Sequence, residues 1–130
     1  MDANKRIEQK GCGMKLDTLR LSEALKTAFK TIEEAGSQND LNEFKKCPED
    51  KLSRYHHGLG RYLRNTLGLW NEKSDIKKYF NDELGILHPD DMSGIILVSF
   101  HRHINDKPLE LEKQAQFYKD YWKKKENVPV

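Results

Sequence analysis

The chain has 130 residues, a length that suits one domain with a single core, and 36% of them are hydrophobic while 34% are charged. The 23 Lys and Arg residues against 21 Asp and Glu leave a formal charge of only +2, so nucleic acid is not an expected partner. No run of about 18 apolar residues offers a membrane span, and residues 1–15 lack the apolar segment of a signal peptide. We therefore expect a cytoplasmic protein with no membrane partner.

The N-terminal stretch differs from the rest of the chain. Residues 1–15 are polar, which favours a flexible leader or tag remnant over an ordered arm. The two cysteines, Cys12 and Cys47, match no metal-ligand spacing, so free thiols in a reducing cytosol are expected. The helical domain is expected over 16–125, with a frayed tail at 126–130.

Two helices are predicted before residue 47. Apolar residues recur at helical spacing from Leu21 to Ile32, Ser22 suits the N-cap and Gly36 suits a left-handed stop. Together they predict a helix over 22–35, with an earlier start at Asp17 as the alternative. After a polar connection, one apolar turn predicts a short helix over 40–46.

A longer helix is predicted over 48–66, because Pro48 and the two acids after it suit a helix start and apolar residues then recur in steps of three and four. Gly58 and Gly60 lie inside it, and each costs up to about 1 kcal/mol relative to Ala. They indicate close approach of another backbone or of a ligand, or else a local break in the helix.

Three further helices complete the expected fold. Ser74 suits the cap of a short helix over 75–80, and residues 81–87 are predicted to form a loop. Pro89 followed by two carboxylates predicts the start of a helix over 89–103, although 95–98 alone would also fit a strand. A last helix is predicted over 109–125. The expected fold is all-α: an irregular, single-domain bundle of five or six helices.

Several short fragments carry a family resemblance. They read YHHGLG at 55–60, RN at 64–65, GLW at 68–70, HPDDMS at 88–93 and HRH at 101–103, with a further stretch at 118–122. In combination, over about 45–122, the chain resembles an uncharacterised bacterial domain family. The resemblance implies kinship without implying an activity or a ligand. Residues 1–40 fall outside it, so the first helix is expected to be particular to this chain.

A cluster of polar residues on the predicted helices 48–66 and 89–103 forms the candidate site: His57, Arg64, Asn65, Asp90, Asp91 and His101. If the two helices pack together, four of these side chains, those of residues 57, 64, 90 and 101, converge. One interpretation is a pocket for a phosphate or carboxylate, with Arg64 as clamp and a histidine as acid or base.

The preferred interpretation of the same cluster is structural. Asp90 and Asp91 are explained by the positive end of the helix dipole, and Arg64 bridges to one of them. Trp70 then closes the core, while His56 and His101 bond to backbone carbonyls or acids.

No catalytic residue, metal or cofactor is predicted. His56 and His57 point about 100° apart on a helix, and His101 and His103 diverge by about 200°. The sequence also lacks a glycine-rich phosphate loop and a nucleophile elbow.

Two functions stay open. The preferred one is a non-catalytic protein-interaction module, an accessory, adaptor or immunity-type protein, with part of the face of Tyr118, Tyr121 and Trp122 as a binding patch. Under it, replacing His57 or Arg64 lowers thermal stability. The alternative is a small enzyme or sensor for a phosphorylated or acidic small molecule, which would use an Arg/His pocket. Partner identity and oligomeric state are left open.

Overall fold

The computed structural model describes residues 22–127, which form an irregular bundle of α-helices with 3₁₀- and π-helical segments between them. The elements are α1 (Glu23–Ala35), α2 (Gln38–Lys46), a 3₁₀-helix (Glu49–Tyr55), a π-helical turn (His56–Gly60), α3 (Arg61–Thr66), α4 (Asp75–Tyr79), a second π-helical turn (Phe80–Leu84), α5 (Pro89–Ile104) and α6 (Leu111–Asn127). These residues contain no strand, so the predicted all-α, single-domain bundle is confirmed. The predicted leader, 1–15, and residues 128–130 of the predicted tail lie outside the described residues.

The starts of α1 and α2 are set by side-chain caps. The Ser22 hydroxyl accepts a hydrogen bond from the Leu25 N–H at 3.1 Å, as predicted. Gly36 has φ −125° and ψ 165°, so the predicted left-handed stop is wrong. The chain stays extended there because the next residue, Ser37, caps α2. The Ser37 hydroxyl accepts from the Asp40 backbone N–H, and the Asp40 carboxylate accepts from the Ser37 backbone N–H. That capping box starts α2 two residues before the predicted position.

The predicted helix over 48–66 is helical from Glu49 onwards, but its winding changes twice. A Cβ atom on Gly60 would lie 3.1 Å from Arg64 Nη1 and 3.4 Å from the Tyr55 carbonyl oxygen, whereas a Cβ on Gly58 would meet nothing within 4 Å. The predicted close approach of another backbone or of a ligand is therefore present at neither glycine, although Gly60 has a tight contact. It comes from a side chain of the same helical stretch. The π-helical turn around both glycines corresponds to the alternative of a local distortion.

The segment after α4 differs from the predicted loop over 81–87. A π-helical turn continues α4 to Leu84, and it buries both Phe80 and Leu84. Gly85, with φ 70°, ends the turn in the left-handed conformation. The loop prediction was wrong for 81–84 because the two apolar residues, four apart, have a core to pack against.

Helix α5 is the centre of the bundle. It packs against α1, α2, α3, α6 and the segments over 49–60. Pro89 occupies its first turn with Asp90 and Asp91, as predicted, and the whole of 95–98 is helical. Buried residues occur on most sides of α5: Met92, Ser93, Ile95, Ile96, Leu97, Ser99, Phe100 and His101.

Helix α6 packs against α5 and the second π-helical turn. Its inner face carries the buried Ala115 and the half-buried Tyr118, and a Cβ on Gly94 would lie 2.8 Å from the Tyr118 hydroxyl. Gly94 thus allows the tyrosine ring to reach the surface of α5. The helix continues two residues past its predicted end, to Asn127. Between residues 22 and 127, no helix combines the length and the apolar character needed to cross a bilayer.

Candidate functional site

The guanidinium of Arg64 is buried between the first π-helical turn and the start of α5. Arg64 is 6% exposed; its Nη1 donates to Ser93 Oγ at 2.8 Å and its Nη2 to the His56 carbonyl oxygen at 3.3 Å. Its Nε lies 3.4 Å from Asp90 Oδ1. The Ser93 hydroxyl donates in turn to the Asp90 carbonyl oxygen at 2.9 Å. We name Arg64, His56, Asp90 and Ser93 the Arg64 cluster.

The cluster contains only part of the predicted site. Arg64 and Asp90 come together, and the expected ion pair between them is present. His57 is exposed, with its ring edge-on to His56, and Asn65 is also exposed. Asp91 lies outside the cluster and accepts a hydrogen bond from Trp122 Nε1 at 2.8 Å.

His101 lies in a separate environment. It is 4% exposed, its Nε2 is 2.7 Å from the Cys47 carbonyl oxygen, and its ring packs edge-on to Phe44 at 5.6 Å. Because a carbonyl only accepts, Nε2 carries the proton. Ser93, the α5 contact of Arg64, lies eight residues before His101, which is about 12 Å along a helix. The expected convergence of four side chains is therefore limited to Arg64 and Asp90, while the expected bond from His101 to a backbone carbonyl is present.

Trp70 does not close the core. Its side chain is 61% exposed, and the preceding Leu69 is fully buried in its place. The Leu69 N–H donates to the Arg64 carbonyl oxygen at 3.0 Å, which ends α3 and turns Leu69 inwards. The prediction for Trp70 was wrong because neighbouring residues of a turn face different sides.

A second ion pair, which sequence reasoning missed, joins Arg102 to Glu49. Arg102 Nε and Nη2 donate to the two Glu49 carboxylate oxygens at 2.9 and 3.0 Å, and Nη1 donates to the Leu109 carbonyl oxygen at 2.9 Å. The hydrogen bond from Arg102 is the main reason that the pKa of Glu49 is lowered. The same bond raises the pKa of Arg102. The pair joins the start of the 3₁₀-helix to the end of α5. The sequence showed only that Glu49 is an acid at a predicted helix start, which does not identify Arg102 as its partner.

A cleft of about 560 Å³ opens between the 3₁₀-helix, α5 and α6. Among the described residues that line it, none is Lys or Arg. Its apolar lining comes mainly from Leu97, Val98, Phe117 and Tyr118, and its carboxylates are Glu49, Asp50, Asp90 and Asp91. We name it the Phe117 cleft.

Large aromatic side chains lie exposed on α6 beside this cleft. The exposed fractions are 67% for Phe117, 46% for Tyr121 and 37% for Trp122, and we name these three residues the aromatic face. Trp122 is fixed by stacking on His88, with ring centres 4.0 Å apart, and by its bond to Asp91. Tyr118, expected in the patch, is half-buried, and burial raises the pKa of its phenol. The predicted patch did not include Phe117. Its exposure was predictable, because it does not share the helix side of the buried Ala115 and the half-buried Tyr118.

No three His, Cys, Asp or Glu side chains between residues 22 and 127 gather closely enough to hold a metal ion. Cys47 is a buried free thiol, as predicted; Cys12 lies outside the described residues.

A family model described as "Domain of unknown function (DUF6794)" matches residues 23–104. The chain belongs to this family. The DUF6794 match spans α1 to α5 and includes every residue of the Arg64 cluster, whereas α6 lies beyond it. The expected kinship with a domain family of unknown function is confirmed, but the expectation that residues 1–40 fall outside the family is wrong for 23–40. The match includes helix α1, which packs on α5 through contacts such as that of Phe29 with Phe100. No curated protein and no solved structure shows significant similarity to the chain.

Proposed function

We propose that this DUF6794 protein is a non-catalytic protein-interaction module, of the accessory, adaptor or immunity type, whose partner is another protein. The observation that carries the proposal is the aromatic face of α6. Phe117 and Tyr121 lie four residues apart, on the same side of the helix, and both are largely exposed. Aromatic residues of this kind dominate protein–protein interfaces because they bury a large area with few rotatable bonds.

The arrangement of the aromatic face supports a docking role. Trp122 is held in place by His88 and Asp91, so little rotamer entropy is lost when a partner covers it. The Lys125 ammonium lies 5.7 Å from the centre of the Tyr121 ring, which adds a charged edge. An apolar centre with a polar rim is the usual anatomy of a protein interface.

The Arg64 cluster supports the non-catalytic part of the proposal. The guanidinium of Arg64 already has three partners in the chain, so it serves to join two helices. His101, about 12 Å along α5 from that cluster, is outside hydrogen-bond reach of it. The alternative, an Arg/His pocket for a phosphorylated or acidic small molecule, gains no support from these positions.

Two finer parts of the proposal concern where the protein acts. The bacterial origin is supported by the sequence pattern over about 45–122. The cytoplasmic location is supported by the buried free thiol of Cys47, which fits a reducing compartment.

The test is to capture the partner on the tagged full chain from an extract of the source organism, purify it and measure its affinity by calorimetry. We expect the double variant Phe117→Ala/Tyr121→Ala to bind at least about tenfold more weakly, because two exposed aromatic contacts are lost. The matched control is Trp70→Ala, which removes an aromatic ring of similar exposure outside α6. Its affinity should equal that of the unaltered protein.

Circular dichroism melting checks that both variants keep the fold. Equal binding by the double variant, or a partner lost only with Trp70→Ala, would refute the aromatic face as the docking surface. Absence of any stoichiometric partner would refute the module itself.

A further inference from the structure

The Phe117 cleft continues the aromatic face into the body of the protein. Phe117 belongs to both, since it lies on α6 and also lines the cleft. Leu97 and Val98 of α5 and the ring of Tyr118 supply the apolar wall. The cleft volume of about 560 Å³ is within the range of natural binding pockets, roughly 300–1,000 Å³. A partner that covers Phe117 is therefore positioned to place a side chain inside.

The charge of the lining indicates what that side chain is. Four carboxylates line the cleft, and none of its described lining residues is Lys or Arg. Three of the four have a partner in the chain: Glu49 accepts from Nε and Nη2 of Arg102, Asp91 accepts from the indole of Trp122, and Asp90 lies 3.4 Å from Arg64 Nε. Asp50 is exposed, and Asp90 keeps 60% of its side chain exposed despite its contact with Arg64.

We propose that the Phe117 cleft receives a basic segment of the protein partner, with one Arg or Lys side chain directed at Asp50, another at Asp90, and an apolar neighbour packed on Phe117. The assignment rests on the proposed function, and it adds the chemistry of the partner. An apolar wall flanked by carboxylates complements Arg and Lys side chains, whose alkyl stems are apolar and whose tips are charged. The carboxylates of the cleft also attract basic segments and repel acidic segments, which favours the basic partner.

The probe is a ten-residue peptide of alternating Arg and Leu, capped at both ends, titrated into the ¹⁵N-labelled full chain. We expect amide shift changes concentrated at Asp50, Gly94, Val98 and Phe117. The same peptide with Glu in place of Arg should leave these amides unmoved up to about 1 mM. Shifts spread evenly over the chain, or equal shifts with the Glu peptide, would overturn the assignment.

A charge reversal supplies the quantitative test. Asp50→Lys should weaken binding of the Arg peptide at least about tenfold, since a like charge then faces the incoming side chain. Glu34→Lys is the matched control: it makes the same charge change at an exposed position of α1, and its affinity should be unchanged. Equal weakening by both variants would mean that only net charge matters, and it would contradict a specific cleft.

The two proposals fail in different ways. If the captured partner requires the aromatic face but binds Asp50→Lys as tightly as the unaltered protein, the basic segment is refuted and the interaction module stands. If the Arg peptide binds the cleft while no protein depends on Phe117 and Tyr121, the interaction module is refuted.

Discussion

Arg64 is accommodated in the interior of the bundle by fixed hydrogen-bond partners. A buried guanidinium is unfavourable unless its N–H groups are satisfied, and here a hydroxyl, a carbonyl and a carboxylate surround it. The carboxylate of Asp90 is itself largely exposed, so the ion pair alone contributes modestly. Most of the stabilisation comes from the hydrogen bonds and from the packed side-chain stem.

Replacement of Arg64 tests its structural role. We expect Arg64→Lys to lower the free energy of unfolding by about 1–2 kcal/mol, since an ammonium cannot reproduce the planar fork. Arg64→Ala should lower it by about 2–4 kcal/mol through lost hydrogen bonds and an unfilled space. Urea denaturation measures both values.

The matched control for Arg64 is Arg61→Ala, an exposed arginine one turn earlier, with an expected change within about 0.5 kcal/mol. His57→Ala should behave like this control because His57 is exposed, in contrast to the expectation from sequence. Stability unchanged in Arg64→Ala would show that the cluster is not structural.

Glu49 gives the stability a defined pH dependence. Its pKa is lowered in the folded protein by the hydrogen bond from Arg102, so the stabilisation is complete above the ordinary Glu pKa. This stabilisation is lost as the pH falls below the ordinary Glu pKa of about 4.3 and then through the lowered pKa of Glu49. Glu49→Gln should therefore lower the free energy of unfolding by about 1 kcal/mol at neutral pH, because solvent screens this partly exposed pair. The loss should become progressively smaller in acid.

The measurement for Glu49 is urea denaturation of both proteins at neutral and acidic pH. Glu112→Gln, an exposed acid of α6, is the control and should show no such convergence. A stability difference between the Glu49→Gln variant and the unaltered protein that stays constant from neutral pH to acid would contradict the role of this pair.

At the scale of the elements, the π-helical turn His56–Gly60 is coupled to the Arg64 cluster. The turn supplies the His56 carbonyl to the guanidinium, and Gly60 leaves room for Nη1 beside it. A side chain on Gly60 would compete for that space, whereas one on Gly58 would not. The winding of this segment and the position of Arg64 therefore depend on each other.

The two glycines form a matched pair for testing this coupling. Gly58→Ala should raise the free energy of unfolding by about 0.5–1 kcal/mol through helix propensity and reduced freedom of the unfolded chain. Gly60→Ala should lower it by about 1 kcal/mol, since Arg64 is held by three partners and cannot move aside. Thermal and urea denaturation report both, and equal effects of the two substitutions would argue against the coupling.

At the scale of the whole molecule, the features set by local chemistry were predictable from sequence. The caps at Ser22 and Ser74, the start of α5 at Pro89 and the all-α class follow from the spacing of apolar residues and from helix-end rules. The pairing of Arg64 with Asp90 was also predictable, because both lie on helices that pack together.

Features set by tertiary contacts were not predictable. Gly58 and Gly60 indicated a local break as one alternative, but their spacing does not specify a π-helical turn, since the change of winding accompanies the burial of Arg64. The exposure of Trp70 depends on which residue of a turn faces the core. The Phe117 cleft arises only when the 3₁₀-helix, α5 and α6 meet, so the sequence contained its residues without their arrangement.

The measurement that tests the central claim most directly is paired photo-crosslinking in living cells. A photoreactive phenylalanine analogue replaces Phe117 in one protein and Trp70 in another, two aromatic positions of similar exposure. The interaction module predicts one adduct of defined mass from position 117, reduced when Tyr121→Ala is added, and none from position 70. An adduct from position 70 alone, or none from position 117, would contradict it.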